Sequence, residues 1–303
     1  MKKVIGIDVG GTGVKGSLVL ENGEVLKAYK VATDITLGRQ GILTSIFAVV
    51  DYLIESEEII GIGIGTAGRV NVTTGEVVFA TANLPGWQGV SLSNVLAERY
   101  QHPCVVENDA NAALLGELWQ GAATDPALTS VTMLTLGTGV GGANAIGRKI
   151  IHGGHFQGGE WGHVVFVPDG RSCNCGMNGC LEQYLSGTAL VSMTNEATGM
   201  EFQHGQDIFA TYQAGNETVA KIVDIYIDHL ALAIYNISIT LDPKAVIIGG
   251  GVIDSKAIWW PLLIEKLANY QVLMKVFPAQ LGNRAGMLGA AKLAIDYVRE
   301  GGN

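Results

Sequence analysis

The chain has 303 residues, of which 48% are hydrophobic and 16% are charged, and its formal net charge is −9. The length fits two domains of ordinary size, and the composition favours a large core over disorder. The negative charge argues against nucleic acid as the main partner, because binding to a phosphate backbone needs a basic surface. A nucleotide held by backbone N–H groups and a divalent cation is still compatible with this charge.

The amino-terminal residues and the cysteines indicate the compartment. Two lysines follow Met1, and an apolar strand pattern begins directly after them, without the apolar region and cleavage site of a signal peptide. No uninterrupted apolar run is long enough to span a bilayer. Three of the four cysteines lie close together, as metal ligands do in reducing compartments. We therefore expect a cytoplasmic α/β protein without a membrane partner.

The first elements predict a three-stranded antiparallel sheet. Strand patterns cover residues 3–8, 14–20 and 25–31, and an Asn-Gly turn joins the last two. A glycine-rich turn joins the first two strands, and its small residues let the backbone approach a phosphate while Thr12 donates a hydroxyl. Asp8, at the end of the first strand, is placed to hold Mg²⁺ through water. The alternative is an ordinary glycine hairpin.

Asp109 is the first candidate for catalysis. It follows a predicted strand at residues 104–107 and precedes a predicted helix at residues 110–119. Ligands bind at such strand ends in open α/β sheets, and the start of a helix favours an ionised carboxylate. The local sequence leaves open whether Asp109 is only the N-cap of this helix.

Residues 131–146 repeat the plan of residues 3–20. An apolar strand at 131–136 leads into a turn with Gly137, Thr138 and Gly139, and a strand pattern returns at 143–146. Two such turns in matching contexts are stronger evidence for phosphate binding than one. They predict an internal duplication, with two similar halves facing each other across a cleft.

Residues 160–182 hold a dense cluster of metal-binding groups. One histidine and three thiols complete the tetrahedral ligand set of a structural zinc ion, with no position left for water. Glu160 and Glu182 flank the cluster, and two fixed acids suit a polyhydroxylated ligand. The alternatives are a disulfide among these cysteines or three unrelated thiols. The candidate zinc ligands are His163, Cys173, Cys175 and Cys180.

The rest of the chain is predicted to be mainly helical. A strand at residues 245–248 ends in Gly249, Gly250 and Gly251, which leave room for adenine or ribose against the backbone. Small residues in the last helix predict close packing on another element. The predicted helices cover residues 188–197, 205–213, 217–240, 258–270 and 284–299.

Together these motifs resemble the ROK family of repressors and sugar kinases, in the actin-like ATPase superfamily. The likeness covers almost the whole chain, and its cysteine motif is highly specific. It implies two ribonuclease-H-like α/β domains around a central cleft. The smaller comprises residues 1–117 with a carboxy-terminal helix at about 288–303, and the larger, with the zinc loop, comprises residues 118–287. The matching segments are residues 8–12 with Lys15, 107–112, 136–142, 159–163, 173–182 and 248–251.

The resemblance also implies a function. ATP, with Mg²⁺, would donate its γ-phosphoryl group to a hydroxyl of a neutral hexose, usually O6, and Asp109 would be the general base. We expect glucose first, then N-acetylmannosamine or a related amino sugar, then a β-glucoside, and a homodimer. The expected sugar contacts are Asn83, Asn108, Glu160, His163 and Glu182. The expected phosphate or nucleotide contacts are Asp8, Gly10, Gly11, Thr12, Lys15, Gly137, Thr138, Gly139, Gly249, Gly250 and Gly251.

Three other classes fit less well. Repressors of the family carry a DNA-binding helix-turn-helix before the first phosphate turn, and here that turn begins at Asp8, so we expect none. A non-catalytic sugar sensor should lack Asp109 or a phosphate turn, and both are present. An ATPase of the chaperone or actin type would have no use for the zinc loop. The sequence therefore favours a kinase.

Overall fold

The computed structural model describes residues 1–302, which form two compact α/β units. Unit 1 comprises Met1–Pro126, Ile150–Gly158 and the described residues from Gln280 onward. Unit 2 comprises Ala127–Lys149 and Gly159–Ala279. The domain bounds expected from the sequence stay a prediction.

Unit 1 is built on a five-stranded sheet. In sheet order its strands are β3 (Val25–Val31), β2 (Val14–Leu20), β1 (Lys3–Val9), β4 (Ile62–Thr66) and β7 (Cys104–Asn108). The first three are antiparallel, as predicted, whereas β1, β4 and β7 are parallel. The short strands β5 (Arg69–Asn71) and β6 (Glu76–Phe79) pair separately. The helices are α1 (Arg39–Ile54), α2 (Leu92–Tyr100), α3 (Asp109–Gln120) and α9 (Ala285–Arg299).

The parallel strands of unit 1 end at the same edge. Asp8 of β1 is in register with Gly65 of β4, and Gly65 is in register with Glu107 of β7. The turn that follows β1 and the Asn108–Asp109 step that follows β7 therefore emerge at the same edge of the sheet, with the end of β4 between them. This is the edge at which open α/β sheets bind ligands.

Helix α9 lies in close backbone contact with β1, β4 and α3, as its small residues predict. A Cβ on Gly6 would overlap the Met287 carbonyl, and one on Gly63 would overlap the Ala290 carbonyl. On the other side of α9, a Cβ on Gly289 would overlap the Ala112 carbonyl of α3. Apolar side chains of α9, among them Leu288 and Ile295, complete this contact in the core.

Unit 2 repeats the arrangement. Its sheet has the order β10 (Lys149–Ile150), β9 (Val140–Ile146), β8 (Ser130–Leu136), β11 (Ala245–Gly249) and β12 (Lys275–Pro278). The pair β8–β9 is antiparallel, and β8, β11 and β12 are parallel, so each sheet combines an antiparallel hairpin with a parallel half. The predicted internal duplication is confirmed. The helices are α4 (Glu182–Leu185), α5 (Gly187–Thr198), α6 (Gly205–Gln213), α7 (Glu217–Thr240) and α8 (Lys256–Asn269).

Helix α7 is the central helix of unit 2. By length and composition alone it could cross a membrane. One face of the helix, with Tyr226 and Ile234, is fully buried in the core of the unit, however, and Lys221, Asp224 and Asp228 interrupt the apolar sequence. The core helix of a folded domain passes the same test, so the absence of a membrane partner stays a prediction.

The substitution Gly289→Ala tests the contact between α9 and α3. In a helix interior this change normally stabilises by about 0.5–1 kcal/mol. Here the new Cβ would overlap the Ala112 carbonyl and lie 2.8 Å from Gly116 N, and overpacking typically costs about 1–3 kcal/mol. We expect a lower urea midpoint than for Gly154→Ala, a loop position where a Cβ meets nothing within 4 Å. An equal or higher midpoint would contradict the packing argument.

Candidate active site

The first glycine turn lies at the carboxyl end of β1. Its Gly10 N–H donates to the Gly13 carbonyl at 3.1 Å, which closes the turn. Asp8 precedes the turn, and its Oδ2 lies 3.8 Å from Lys15 Nζ. Burial raises the pKa of Asp8, and the Lys15 ammonium opposes part of that rise. A Cβ on Gly286 of α9 would lie 2.9 Å from Asp8 Cγ, so the helix approaches this carboxylate closely.

The predicted sugar-binding residue Asn83 lies beside the same turn. A Cβ on Gly11 would lie 3.1 Å from the Asn83 carbonyl oxygen. Leu84 and Trp87 are buried and anchor the loop that carries Asn83, and Trp87 Nε1 donates to Thr66 Oγ1 at 2.9 Å. Asn83 itself is exposed to solvent, and the buried residues next to it hold its loop in place.

Asn108, and not Asp109, caps helix α3. Asn108 Oδ1 accepts from the backbone N–H groups of Ala110 at 2.9 Å and Asn111 at 3.1 Å. Its Nδ2 donates to the Gly68 carbonyl at 2.9 Å and to Asp109 Oδ1 at 3.0 Å. The question left open by the local sequence is thus answered: the neighbour caps the helix and holds the Asp109 carboxylate in its first turn. The contact of Asn108 with sugar stays a prediction.

A second carboxylate stands behind this turn. Glu107 is the penultimate residue of β7, and only 2% of its side chain is exposed. Its Oε1 accepts from the Asn108 backbone N–H at 2.8 Å and from Asn111 Nδ2 at 2.9 Å. Its Oε2 lies 2.6 Å from His152 Nε2, and this hydrogen bond raises the pKa of His152 although burial opposes the rise.

The second glycine turn, in unit 2, carries one of the predicted sugar-binding acids. The turn follows β8, and Gly137 N–H donates to the Gly139 carbonyl at 2.9 Å. Glu182 Oε2 accepts from the Val140 N–H at 3.0 Å, and a Cβ on Gly139 would overlap this carboxylate. One oxygen of Glu182 is therefore bonded to the backbone beside the phosphate turn. The contact of Glu182 with sugar stays a prediction.

The second turn and the triple glycine share one cavity of about 670 Å³, a size typical of small-molecule sites. Thr138 and Gly251 line it. So do Gly187 and Thr188 at the start of α5, where the positive end of the helix dipole favours an anion. Asp254 adds a carboxylate to the lining. The cavity therefore combines anion-binding backbone with a hydrogen-bond acceptor.

The three consecutive glycines at the end of β11 have different structural roles. Gly249 is the last residue of the strand, and Gly251 lines the cavity. Gly250 has a φ of 84°, and a Cβ there would overlap the Leu136 carbonyl, so glycine is required by both conformation and space. Direct contact with a nucleotide is thus best supported for Gly251.

The predicted zinc ligands converge. The four ligand atoms lie within 4.8 Å of one another, with Cys175 Sγ 3.5 Å from Cys180 Sγ and His163 Nδ1 3.8 Å from Cys173 Sγ. Tetrahedral zinc, with bonds near 2.3 Å to sulfur and 2.0 Å to nitrogen, gives ligand separations of about 3.5–3.8 Å. All four cysteines of the chain, each within the described residues, are free thiols. The ligand set fits zinc and does not form the alternative disulfide.

Sequence reasoning missed two residues that support the site. Glu107 belongs to one of the segments that carry the family resemblance, but no function was predicted for it. Its signal was a carboxylate in an otherwise apolar strand, since such a group needs partners when buried. His152 carried no signal, because its partner is 45 positions away in sequence. The cavity residues Gln203 and Asp254 also lacked a motif.

Comparisons with known proteins agree with this structure. The ROK family pattern matches residues 4–297, and the chain belongs to the ROK family. A glucokinase of Thermotoga maritima is 34% identical, with 98% of both chains covered. An N-acetyl-D-glucosamine kinase of Escherichia coli O127:H6 is 32% identical, with 96% of this chain and 98% of the relative covered.

A solved structure extends the comparison to the fold. The ROK family glucokinase of Streptomyces griseus, in complex with glucose and AMPPNP, has a TM-score of 0.84 at 33% identity, and the match covers 97% of this chain and 99% of that one. The predicted α/β class, with the two-domain actin-like ATPase fold, is confirmed.

Zinc content is the first test of the site. A closed set of four ligands predicts about one zinc per chain in protein purified without added metal. Cys175→Ser should lower that content, while Cys104→Ser, which changes a thiol outside the cluster, should not. Elemental analysis measures both. A wild-type protein without zinc would refute the assignment.

Proposed function

We propose that this ROK-family sugar kinase transfers the γ-phosphoryl group of ATP to O6 of a neutral hexose, with glucose as the first candidate. The observation that carries the proposal is the placement of Asp109 at the carboxyl edge of the unit 1 sheet, where Asn108 holds its carboxylate at the same edge as the first glycine turn. Membership of the family and the names of its relatives support the same activity.

Asp109 serves as the general base in this proposal. Phosphoryl transfer depends mainly on positioning and on neutralising charge, with little covalent chemistry for the protein. Asp109 would accept the proton of the sugar hydroxyl as the bond to phosphorus forms. The hydrogen bond from Asn108 Nδ2 to Oδ1 orients the carboxylate for this task.

The nucleotide would bind in the cavity of unit 2. The backbone of the second glycine turn at Thr138 and the start of α5 suit the phosphates, and Asp254 suits the ribose hydroxyls. Asp8 in unit 1 would hold Mg²⁺ through water, because its carboxylate stands near the end of β1, directly before the first glycine turn. When bound, Mg²⁺ would neutralise charge on the phosphates.

Zinc would act structurally and would fix His163. With Nδ1 on the metal, the other ring nitrogen, Nε2, would carry the proton and would donate a hydrogen bond. Glu160 and Glu182 would accept from sugar hydroxyls. Glu182 also bonds to the backbone beside the phosphate turn, which ties the expected sugar contact to the expected phosphate contact.

The identity of the sugar is the more specific part of the proposal. The expected sugar contacts are amides, acids and one imidazole, and they include no basic side chain that would pair with a carboxylate on the sugar. A neutral hexose therefore fits best. We rank glucose first, an N-acetylated amino sugar second and a β-glucoside third. Relatives named glucokinase and N-acetyl-D-glucosamine kinase support the first two places.

Asp109→Asn tests the base. Asparagine keeps the size of the side chain and can still accept the bond from Asn108, but it cannot take a proton. We expect sugar binding, measured by calorimetry, to be retained, and kcat to fall by about two to four orders of magnitude. Asp242→Asn, at an exposed residue after α7, is the matched control. Near-normal turnover by Asp109→Asn would assign the base to another residue.

A panel of sugars tests the substrate. A site built to bond a hydroxyl rejects an analogue that lacks it, because its own polar groups lose their partners. We expect kcat/KM, measured by ADP release, to differ sharply among glucose, N-acetylmannosamine, N-acetylglucosamine and cellobiose, with glucose highest. A higher value for another sugar would overturn the glucose assignment alone. No transfer to any neutral hexose would overturn the proposed function.

A further inference from the structure

Glu107 is an ionisable group that the proposed reaction does not use, yet it is the most deeply buried carboxylate beside the base. Only 2% of its side chain is exposed. An isolated charge in such a place would be strongly unfavourable, and buried charges are therefore paired and hydrogen-bonded. The partners of Glu107 show what this group does.

One oxygen of Glu107 holds the turn that carries Asp109. Oε1 accepts from the backbone N–H of Asn108, the residue before Asp109, and from the side chain of Asn111, two residues after it. Asn108 in turn caps the helix and donates to Asp109 Oδ1. A single carboxylate oxygen thus bonds to the chain on both sides of the base. Hydrogen bonds to a charged acceptor are stronger than neutral ones.

The other oxygen holds a residue from a distant segment. Oε2 lies 2.6 Å from His152 Nε2. His152 stands at the base of a closed loop, because its carbonyl accepts from the Gly158 N–H at 2.8 Å. That closure needs glycine at 158, where a Cβ would overlap the Ile151 carbonyl. The hydrogen bond to Glu107 raises the pKa of His152, which favours the imidazolium as the partner of the carboxylate.

We propose that His152 and Glu107 form a positioning pair for the base, in which His152 fixes Glu107 and Glu107 fixes the turn between Asn108 and Asn111. The inference rests on the proposed function, since it assigns the residues that act through Asp109. A loss of this pair would free Glu107 to rotate toward water and would release the turn. Reaction rates depend steeply on such geometry, and a displacement of about 1 Å can cost about 100-fold.

The test uses His152 variants in two backgrounds. In the wild-type background, we expect His152→Ala to lower kcat with glucose by about 10- to 100-fold and to change the KM for sugar by less than about threefold. His152→Gln, whose amide can still donate to Glu107, should recover most of the loss. His155→Ala, at an exposed histidine of the same loop, is the control and should leave kcat unchanged.

The second background is Asp109→Asn. If His152 acts through Asp109, His152→Ala should lower the residual rate of Asp109→Asn by no more than about twofold, the usual scatter of additive effects. A sensitive assay of labelled phosphoryl transfer from ATP measures this rate. Equal losses in the two backgrounds would overturn the inference, because a structural defect would multiply both rates.

Two further outcomes separate this inference from the proposed function. Unchanged kcat in His152→Ala, with an active wild-type protein, would overturn the positioning role alone. A wild-type protein that phosphorylates no neutral hexose would overturn the proposed function and the positioning role with it. Should His152→Ala fail to fold, His152→Gln in both backgrounds gives the same comparison. We expect a near-wild-type kcat for His152→Gln in the wild-type background. A loss of kcat as large as that caused by Asp109→Asn would contradict the positioning role.

Discussion

The backbone of α9 lies directly against the backbones of β1, β4 and α3, and glycines make this approach possible. Gly6 in β1 and Gly63 in β4 leave space for the backbone of α9. On the side of α9 that faces away from the sheet, Gly289 leaves space for α3. Because α3 begins with Asp109 and β1 ends near Asp8, this packing sets where both carboxylates lie. Any side chain at these positions would move the elements that carry the site.

Buried carboxylates also hold together the chain segments of unit 1. Glu107 bonds to the turn around Asp109, and Glu117, which is fully buried, accepts from the backbone N–H groups of Ala122, Gln280 and Leu281. Both acids bind main-chain donors that would otherwise need water. Unit 1 thus uses two charges to hold chain segments that are far apart in sequence, one of which leads directly into α9.

In unit 2 the comparable role falls to Glu182. It follows the cysteine motif in sequence, and its carboxylate bonds to the Val140 N–H beside the second glycine turn. The metal-binding loop and the phosphate turn are therefore joined through one side chain. A metal ion on the cysteine cluster would hold His163 and, through the loop, the start of α4 with Glu182.

The sequence by itself determined what is local. It predicted most strands and helices, the duplication, both glycine turns and the four zinc ligands, because periodicity, glycine spacing and ligand spacing are short-range signals. It did not predict β5 or β12, whose short strands lack a clear pattern. Only the tertiary structure decided that Asn108 is the cap and that His152 pairs with Glu107. The cap depends on backbone geometry at one step, and the pair joins residues that only the folded chain brings together.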